Sequence, residues 1–274
     1  MVSQEQRRRQ LAREKFLRQQ QRRTSARRRA RMRNSVIASV LGVVVIGSVA
    51  LYTTGVLKNN DDKANAGSEP TPSASASPSK APDPCAKPEA GSVKKLSWKN
   101  EPAMSIDTSA GYTMKLATTC GDIGIALKTS AAPHTVNSFD FLAAKGFFDH
   151  TKCHRLTTNG IYVLQCGDPT GTGSGGPGYT IPDENLKDKS LKGGVYPAGT
   201  VAMANTGQKH TGGSQFFLVY QDSQLPPSYT PFGTIDAAGM KVLKKIAAAG
   251  ESTGQGDGAP NATVVINKAT VTKS

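Results

Sequence analysis

Residues 106–274 predict a mainly β fold, a closed eight-stranded antiparallel β-barrel capped by two α-helices. Three observations predict it. Eight short runs alternate apolar with polar residues or are β-branched, most of them are bounded by Gly, Pro, Asn or Asp, and only two segments space their apolar residues as a helix does. Closure follows from the strand count, because a closed sheet exposes no edge.

The expected strands are 112–118, 122–128, 152–157, 161–166, 199–204, 214–220, 231–235 and 262–271. The first helix starts after Ser130, has Pro133 in its first turn, sets Val136, Phe139 and Ala143 on one side and stops at Gly146. The second follows Asp236, carries Met240, Leu243 and Ala247, and stops at Gly250.

What precedes this domain reads as three further parts. Residues 1–35 hold twelve Arg and one Lys against Glu5 and Glu14, a net charge of +11, so the other 239 residues carry only +3 of the total +14. The basic character belongs to a tail, which has one aromatic residue and no folded nucleic-acid motif, and no specific nucleic-acid partner is expected. Residues 36–57, VIASVLGVVVIGSVALYTTGVL, contain no charge. At ~1.5 Å per residue they reach ~33 Å, enough to cross a ~30 Å hydrocarbon core as one transmembrane helix. Arg-rich sequence on the N-terminal side puts the tail in the cytoplasm and the domain outside. Ser48-Val49-Ala50 offers a signal-peptidase site as a rival reading, but the apolar run continues past it, and a retained anchor is expected. Residues 58–105 are a linker and lead-in, rich in Pro, Ser, Ala and Lys over 58–92, a composition expected to be extended and disordered.

Several chemistries are excluded by absence. The chain has no GxSxG, HExxH or GxxxxGK[ST] pattern. None of its four histidines has a cysteine partner at zinc spacing, its four cysteines form no CxxC, and no metal or cofactor is expected. The glycine-rich run Gly171–Gly178 ends without Lys-Ser/Thr and reads as a long surface loop. What remains is Cys153-His154-Arg155-Leu156, a hairpin partner Ile161 to Pro169, then Met203-Ala204-Asn205-Thr206-Gly207 and Gly213-Ser214-Gln215-Phe216-Phe217. In them Arg155, the Asn and Gln amides and nearby aromatics make a site that uses no acid, base or nucleophile.

Together the stretches CHRL…LQCGDP, MANTG…GGSQFF and PFGTI, in that order between about Ile106 and Val271, resemble the cyclophilin family of peptidyl-prolyl cis-trans isomerases. GDPTGTGSGGPGY after the hairpin is similar to the family's bacterial, extracytoplasmic members. The resemblance implies a site with Arg155, Gln165 and Asn205 as catalytic residues and Tyr162, Val163, Ala204, Gln215, Phe217, Leu225 and Tyr229 against the substrate. Tyr162 stands where the family usually has Phe, Val163 where Met is common, Tyr229 where it has His, and Gln224 where many eukaryotic members have Trp. The last difference implies weak cyclosporin binding. The implied partners are proline-containing polypeptides, secreted or belonging to the cell envelope, with a non-catalytic proline-peptide module as the alternative on the same fold.

Four cysteines allow three disulfide connectivities. Adjacent hairpin strands favour 153–166, with 85–120 as the second pair. Strand alternation argues the other way, because Arg155 and Gln165 sharing a face tends to separate Cys153 from Cys166. Cys120 could then pair with either, or all four could be free thiols.

Overall fold

The computed structural model describes residues 82–274; the basic tail, the apolar segment 36–57 and the linker up to residue 81 lie outside the described residues. Among the described residues no helix is long and apolar enough to cross a membrane.

Among the described residues the fold is mainly β with two α-helices. β1 (Tyr112–Thr118) and β2 (Gly121–Leu127) form a hairpin pairing Tyr112 with Leu127 and Thr118 with Gly121. Tyr112, Met114 and Leu116 face the core while Thr113 and Lys115 face solvent, as the two-residue period requires. On the far side of β1 lie β12 (Val265–Lys273) and then β3 (Thr151–Lys152). Beyond β2 come β10 (Pro231–Ile235), β7 (Thr200–Met203), β8 (Phe216–Val219), β5 (Val163–Cys166), β4 (Arg155–Thr157) and β11 (Asp257–Gly258), each antiparallel to its neighbour. A separate ladder joins β6 (Val195–Tyr196) to β9 (Ser223–Gln224).

This corrects the expected closed eight-stranded barrel. The sheet is curled and ten-stranded, and no ladder joins its end strands β11 and β3. The reason lies at Cys153–His154. The run expected as one strand, 152–157, would be the seam, paired with β12 on one side and β5 on the other. It breaks in the middle instead: Cys153 still donates its N–H to Val264, and His154 donates to Gln165, on opposite sides of the gap. β3 and β4 therefore end up at opposite ends of the sheet. Both edges are short, which limits pairing with other chains.

α1 (Pro133–Ala144) buries Val136, Phe139, Leu142 and Ala143. It has no N-cap side chain of its own. The Glu184 carboxylate substitutes, accepting from the backbone N–H of His134 and Thr135 at 3.0 and 2.9 Å. Phe139 centres an aromatic cluster with Phe232, Phe148 and Phe216 at 4.6, 5.3 and 5.5 Å between ring centroids. α2 (Ala237–Ala248) is capped by Asp236, which accepts from Gly239 N–H at 2.6 Å, and it buries Leu243 and Ile246.

Disulfides join Cys85 to Cys120 and Cys153 to Cys166. The alternation argument against the second pair fails because Cys153 is not in a strand, so its side chain is free to turn toward Cys166; both are buried. The described part of the lead-in has no regular structure but is docked. Cys85 ties it to the turn after β1, Trp98 donates its N–H to Pro177, and the Trp98 ring meets Phe141 edge-on at 5.0 Å.

Candidate active site

β5, β7 and β8 are buried on both faces. One set of side chains, including Leu164, Val201, Phe216 and Leu218, enters the main core. The alternate set, Val163, Ala202, Phe217 and Val219 with Tyr196, forms a second, smaller apolar cluster on the outside of the sheet. Doubly apolar strands such as FFLV are how the sequence writes this second face.

Register then assembles the site. Arg155 pairs with Gln165, Gln165 with Phe217, and Phe217 with Ala202, so four strands present one row of side chains. The row borders a cavity of about 180 Å³ lined by Arg155, Ile161, Val163, Gln165, Ala204, Asn205, Phe217, Leu225 and Tyr229. Tyr229 meets Phe217 edge-on at 5.4 Å. The Tyr196 hydroxyl fixes the Tyr229 backbone, donating to its carbonyl at 2.8 Å and accepting its N–H at 3.2 Å; burial pushes the Tyr196 pKa up to about 12, so it stays protonated.

A chain of hydrogen bonds crosses the polar side. Arg155 Nη1 donates to Gln165 Oε1 at 3.3 Å, Gln165 Nε2 to Gln215 Oε1 at 2.9 Å, and Gln215 Nε2 to the Gly175 carbonyl at 2.8 Å. The other edge of the Arg155 guanidinium meets Asp257, with Nε to Oδ1 at 2.7 Å and Nη2 to Oδ2 at 2.8 Å. The Asp257 hydrogen bonds raise the Arg155 pKa and Arg155 lowers that of Asp257, so both are charged at any physiological pH.

Gly175 belongs to the glycine-rich loop, which is built on one fully buried carboxylate. Asp168 Oδ1 accepts from Thr170 N–H and Oγ1, and Oδ2 from the N–H groups of Thr172 and Gly173. Burial pushes the Asp168 pKa up, but these hydrogen bonds outweigh it and hold the value at about 2. The loop walls a second cleft of about 1160 Å³, which shares Gln165, Ala204 and Asn205 with the smaller cavity and is completed by Lys99, Asn100 and Glu101 of the lead-in.

Of the ten site residues expected from the sequence, eight line the small cavity, and Gln215 stands behind Gln165 in the larger cleft. Tyr162 lines neither; its ring lies edge-on to Tyr220 at 5.9 Å, and its neighbour Ile161 occupies the cavity wall. The Asn205 side chain is used internally, donating to the Ser228 carbonyl and accepting from Gly207 N–H. Its main-chain N–H and carbonyl make no hydrogen bond among the described residues. Asp257 and Tyr196 carried no signal in the sequence as site components, and Asp168 lay in the quoted LQCGDP stretch without a role assigned to it. Gln224, on β9, is exposed and donates to the Gly193 carbonyl rather than lining the cavity. Among the described residues no three His, Cys, Asp or Glu groups converge as a metal ion requires.

A family model described as cyclophilin type peptidyl-prolyl cis-trans isomerase/CLD matches residues 113–271. A probable peptidyl-prolyl cis-trans isomerase B of Mycobacterium leprae is 52% identical over 165 residues, 57% of this chain and 56% of that protein. The protein of the same description in Mycobacterium tuberculosis H37Rv is 46% identical over 198 residues, 69% of this chain and 60% of that one. The chain thus spans somewhat over half the length of these relatives. A crystal structure of a cyclophilin type peptidyl-prolyl cis-trans isomerase from Cryptosporidium parvum aligns with a TM-score of 0.48 at 26% identity, covering 60% of this chain and 99% of that one.

Proposed function

By the match over residues 113–271 the chain belongs to the cyclophilin-type peptidyl-prolyl cis-trans isomerases, and we propose that it rotates X–Pro amide bonds by non-covalent catalysis. One observation carries this reading: a guanidinium held by Asp257 lines a cavity of about 180 Å³ together with Val163, Phe217 and Leu225, a volume suited to a pyrrolidine ring.

The X–Pro amide resists rotation with a barrier of ~18–20 kcal/mol because resonance gives the C–N bond partial double-bond character. Uncatalysed exchange takes ~10–100 s. In the twisted transition state conjugation is lost and the nitrogen carries a localised lone pair. No bond forms or breaks, so the site needs only to hold the twisted amide better than the planar one. Val163, Phe217 and Leu225 seat the ring; the Asn205 main chain holds the flanking backbone; Arg155 donates to the nitrogen or to the moving carbonyl oxygen.

The test is an NMR exchange or protease-coupled assay on an X–Pro peptide with the full chain. Arg155→Ala should lower turnover by ~10²-fold or more with unchanged circular dichroism, as loss of one preorganised donor does elsewhere. Near-full turnover would remove Arg155 from the mechanism. Peptide binding without any exchange in the native protein would leave a binding module.

The finer reading places this activity outside the cell membrane, on secreted or envelope proteins, with residues 36–57 as anchor and the basic tail in the cytoplasm. Charge asymmetry supports it, as do two disulfides, which persist in oxidising compartments. Protease added to intact cells should release an active domain by cutting before Cys85, which is tied to Cys120. A native N-terminus at Leu51 would replace the anchor with a cleaved signal. Cyclosporin should bind weakly because Gln224 stands where the family's rim Trp would be; nanomolar inhibition would overturn that expectation.

A further inference from the structure

The Asp257 pair has no part in the reading given so far. We infer that Asp257 is a positioning residue that fixes which edge of the Arg155 guanidinium faces the substrate; the inference rests on the isomerase reading of the site.

A guanidinium carries five N–H donors in a rigid plane. Asp257 takes one on Nε and one on Nη2, and Gln165 takes one on Nη1. Two remain, one on each Nη, and these are the donors left for a rotating amide. Without the carboxylate, only the 3.3 Å bond to Gln165 would remain, and the plane could turn about it to present other edges. Both partners are substantially exposed, 39% for Arg155 and 55% for Asp257, so the pair contributes little to stability. Its position on the reacting side chain, with bidentate geometry, is what gives it a role.

The carboxylate is itself held in place by a built loop. Asp257 pairs with Thr157 in the β11–β4 ladder. The largely buried Glu251 carboxylate gathers the loop, accepting from Thr253 N–H and Oγ1 and from Gly256 N–H, and Thr253 Oγ1 lies 3.2 Å from the Asp257 carbonyl. Gly256 carries φ +92°, and a Cβ there would stand 2.4 Å from that of Asn159, so no other residue fits without shifting the loop. Thr158 N–H closes the approach onto the Gly256 carbonyl at 2.9 Å. Glu251 thus orders the loop, the loop places Asp257, and Asp257 orients Arg155.

The experiment compares the full chain with Asp257→Ala and Asp257→Asn, reading kcat and KM for an X–Pro peptide and the ¹H–¹⁵N resonance of Arg155 Nε–H. Asp257→Ala should lower kcat about tenfold with KM nearly constant, since substrate still seats in the apolar cup while the donor is disordered. Its Nε–H should move to the position of a free, rapidly exchanging arginine. Asp257→Asn, which keeps one acceptor, should fall between, and it serves alone if the alanine variant fails to fold. Unchanged kcat, or an Arg155 Nε–H that stays protected in both variants, would overturn the inference. A native chain with no isomerase activity would defeat the functional reading instead, and the resonance would still decide whether Asp257 orients Arg155.

Discussion

The strand-borne wall of the cavity and the loops that rim it are held by different physics. Arg155, Gln165, Phe217 and Ala202 lie in one row because four strands share a register, and that register is locked by side chains buried on both faces. The rim has no such redundancy. The glycine-rich loop is gathered by the Asp168 carboxylate and the Asp257 loop by Glu251. A wall of shared contacts fails all at once, whereas a loop hung on one carboxylate can loosen alone. The rim is therefore where the site can be retuned without unfolding the sheet.

The sharpest way to break this distinction is to damage the wall. Phe216 is fully buried, with Phe139, Phe148 and Phe232 within 6.5 Å between ring centroids. Phe216→Ala should destabilise the domain by ~3–5 kcal/mol. Circular dichroism and isomerase activity should disappear together along a single denaturant transition. A variant that lost activity at much lower denaturant than secondary structure would show the wall to be as divisible as the rim.

A smaller effect is expected where the two regions meet. The Cys153–Cys166 link spans 13 residues and brackets the hairpin that presents Arg155 and Gln165. Replacing both cysteines by alanine should lower stability by about 3 kcal/mol through the freed unfolded chain. Because the hairpin register is also fixed by Leu156 and Leu164 in the core, activity of the folded fraction should persist. A folded double variant with turnover reduced as far as that of Arg155→Ala would mean that the disulfide, not the strand pairing, positions the row.

The same division explains what could be read in advance. Strand runs, both helices and most of the cavity wall were legible because they rest on local periodicity and on motif residues borne by strands. The seam was not, since nothing in Lys152–Thr157 marks the break at Cys153–His154. Tyr162 and Ile161 are adjacent, and counting along the chain could not tell which of them faces the cavity at an irregular strand entry. Asp257 is 102 residues from Arg155, in a loop without strand pattern, and only the folded ladder brings the two together. The Glu184 cap on α1 is equally remote, about fifty residues from the N–H groups it serves.

On the rim, Asp168→Asn sharpens the comparison. The folded pKa of about 2 lies below the ordinary 3.8, so the carboxylate contributes stability above about pH 4 that is lost as pH falls toward 2. Near neutral pH the substitution should lower stability by about 2 kcal/mol. The gap between the native chain and the variant should close on acidification. Hydrogen exchange should rise first over residues 170–176 while β5 and β8 stay protected. Equal loss of protection in the strands would make Asp168 part of the wall.

The smallest effect concerns the docked lead-in. Glu101 sits 2.5 Å from His134 Nδ1 and belongs to the segment that carries Trp98, the chain's single tryptophan. The Glu101 hydrogen bond raises the His134 pKa above 6.5, against a smaller opposing effect of burial, and Glu184 adds to the rise. A raised folded pKa means that the stabilisation is complete below pH 6.5 and is lost as pH climbs through the folded value. The histidine side chain is 46% exposed, so the contribution is ~0.5 kcal/mol or less, too little to unfold anything. It is enough to bias a segment with no regular structure. Trp98 emission should shift toward that of a more solvated indole between pH 6 and 8.5, as its contact with Phe141 loosens, with no change in thermal midpoint. Glu101→Gln should remove that pH dependence while leaving Trp98 docked through its own N–H bond to Pro177. Emission that is flat with pH in the native chain would show that the Cys85 link and the indole packing hold the lead-in unaided.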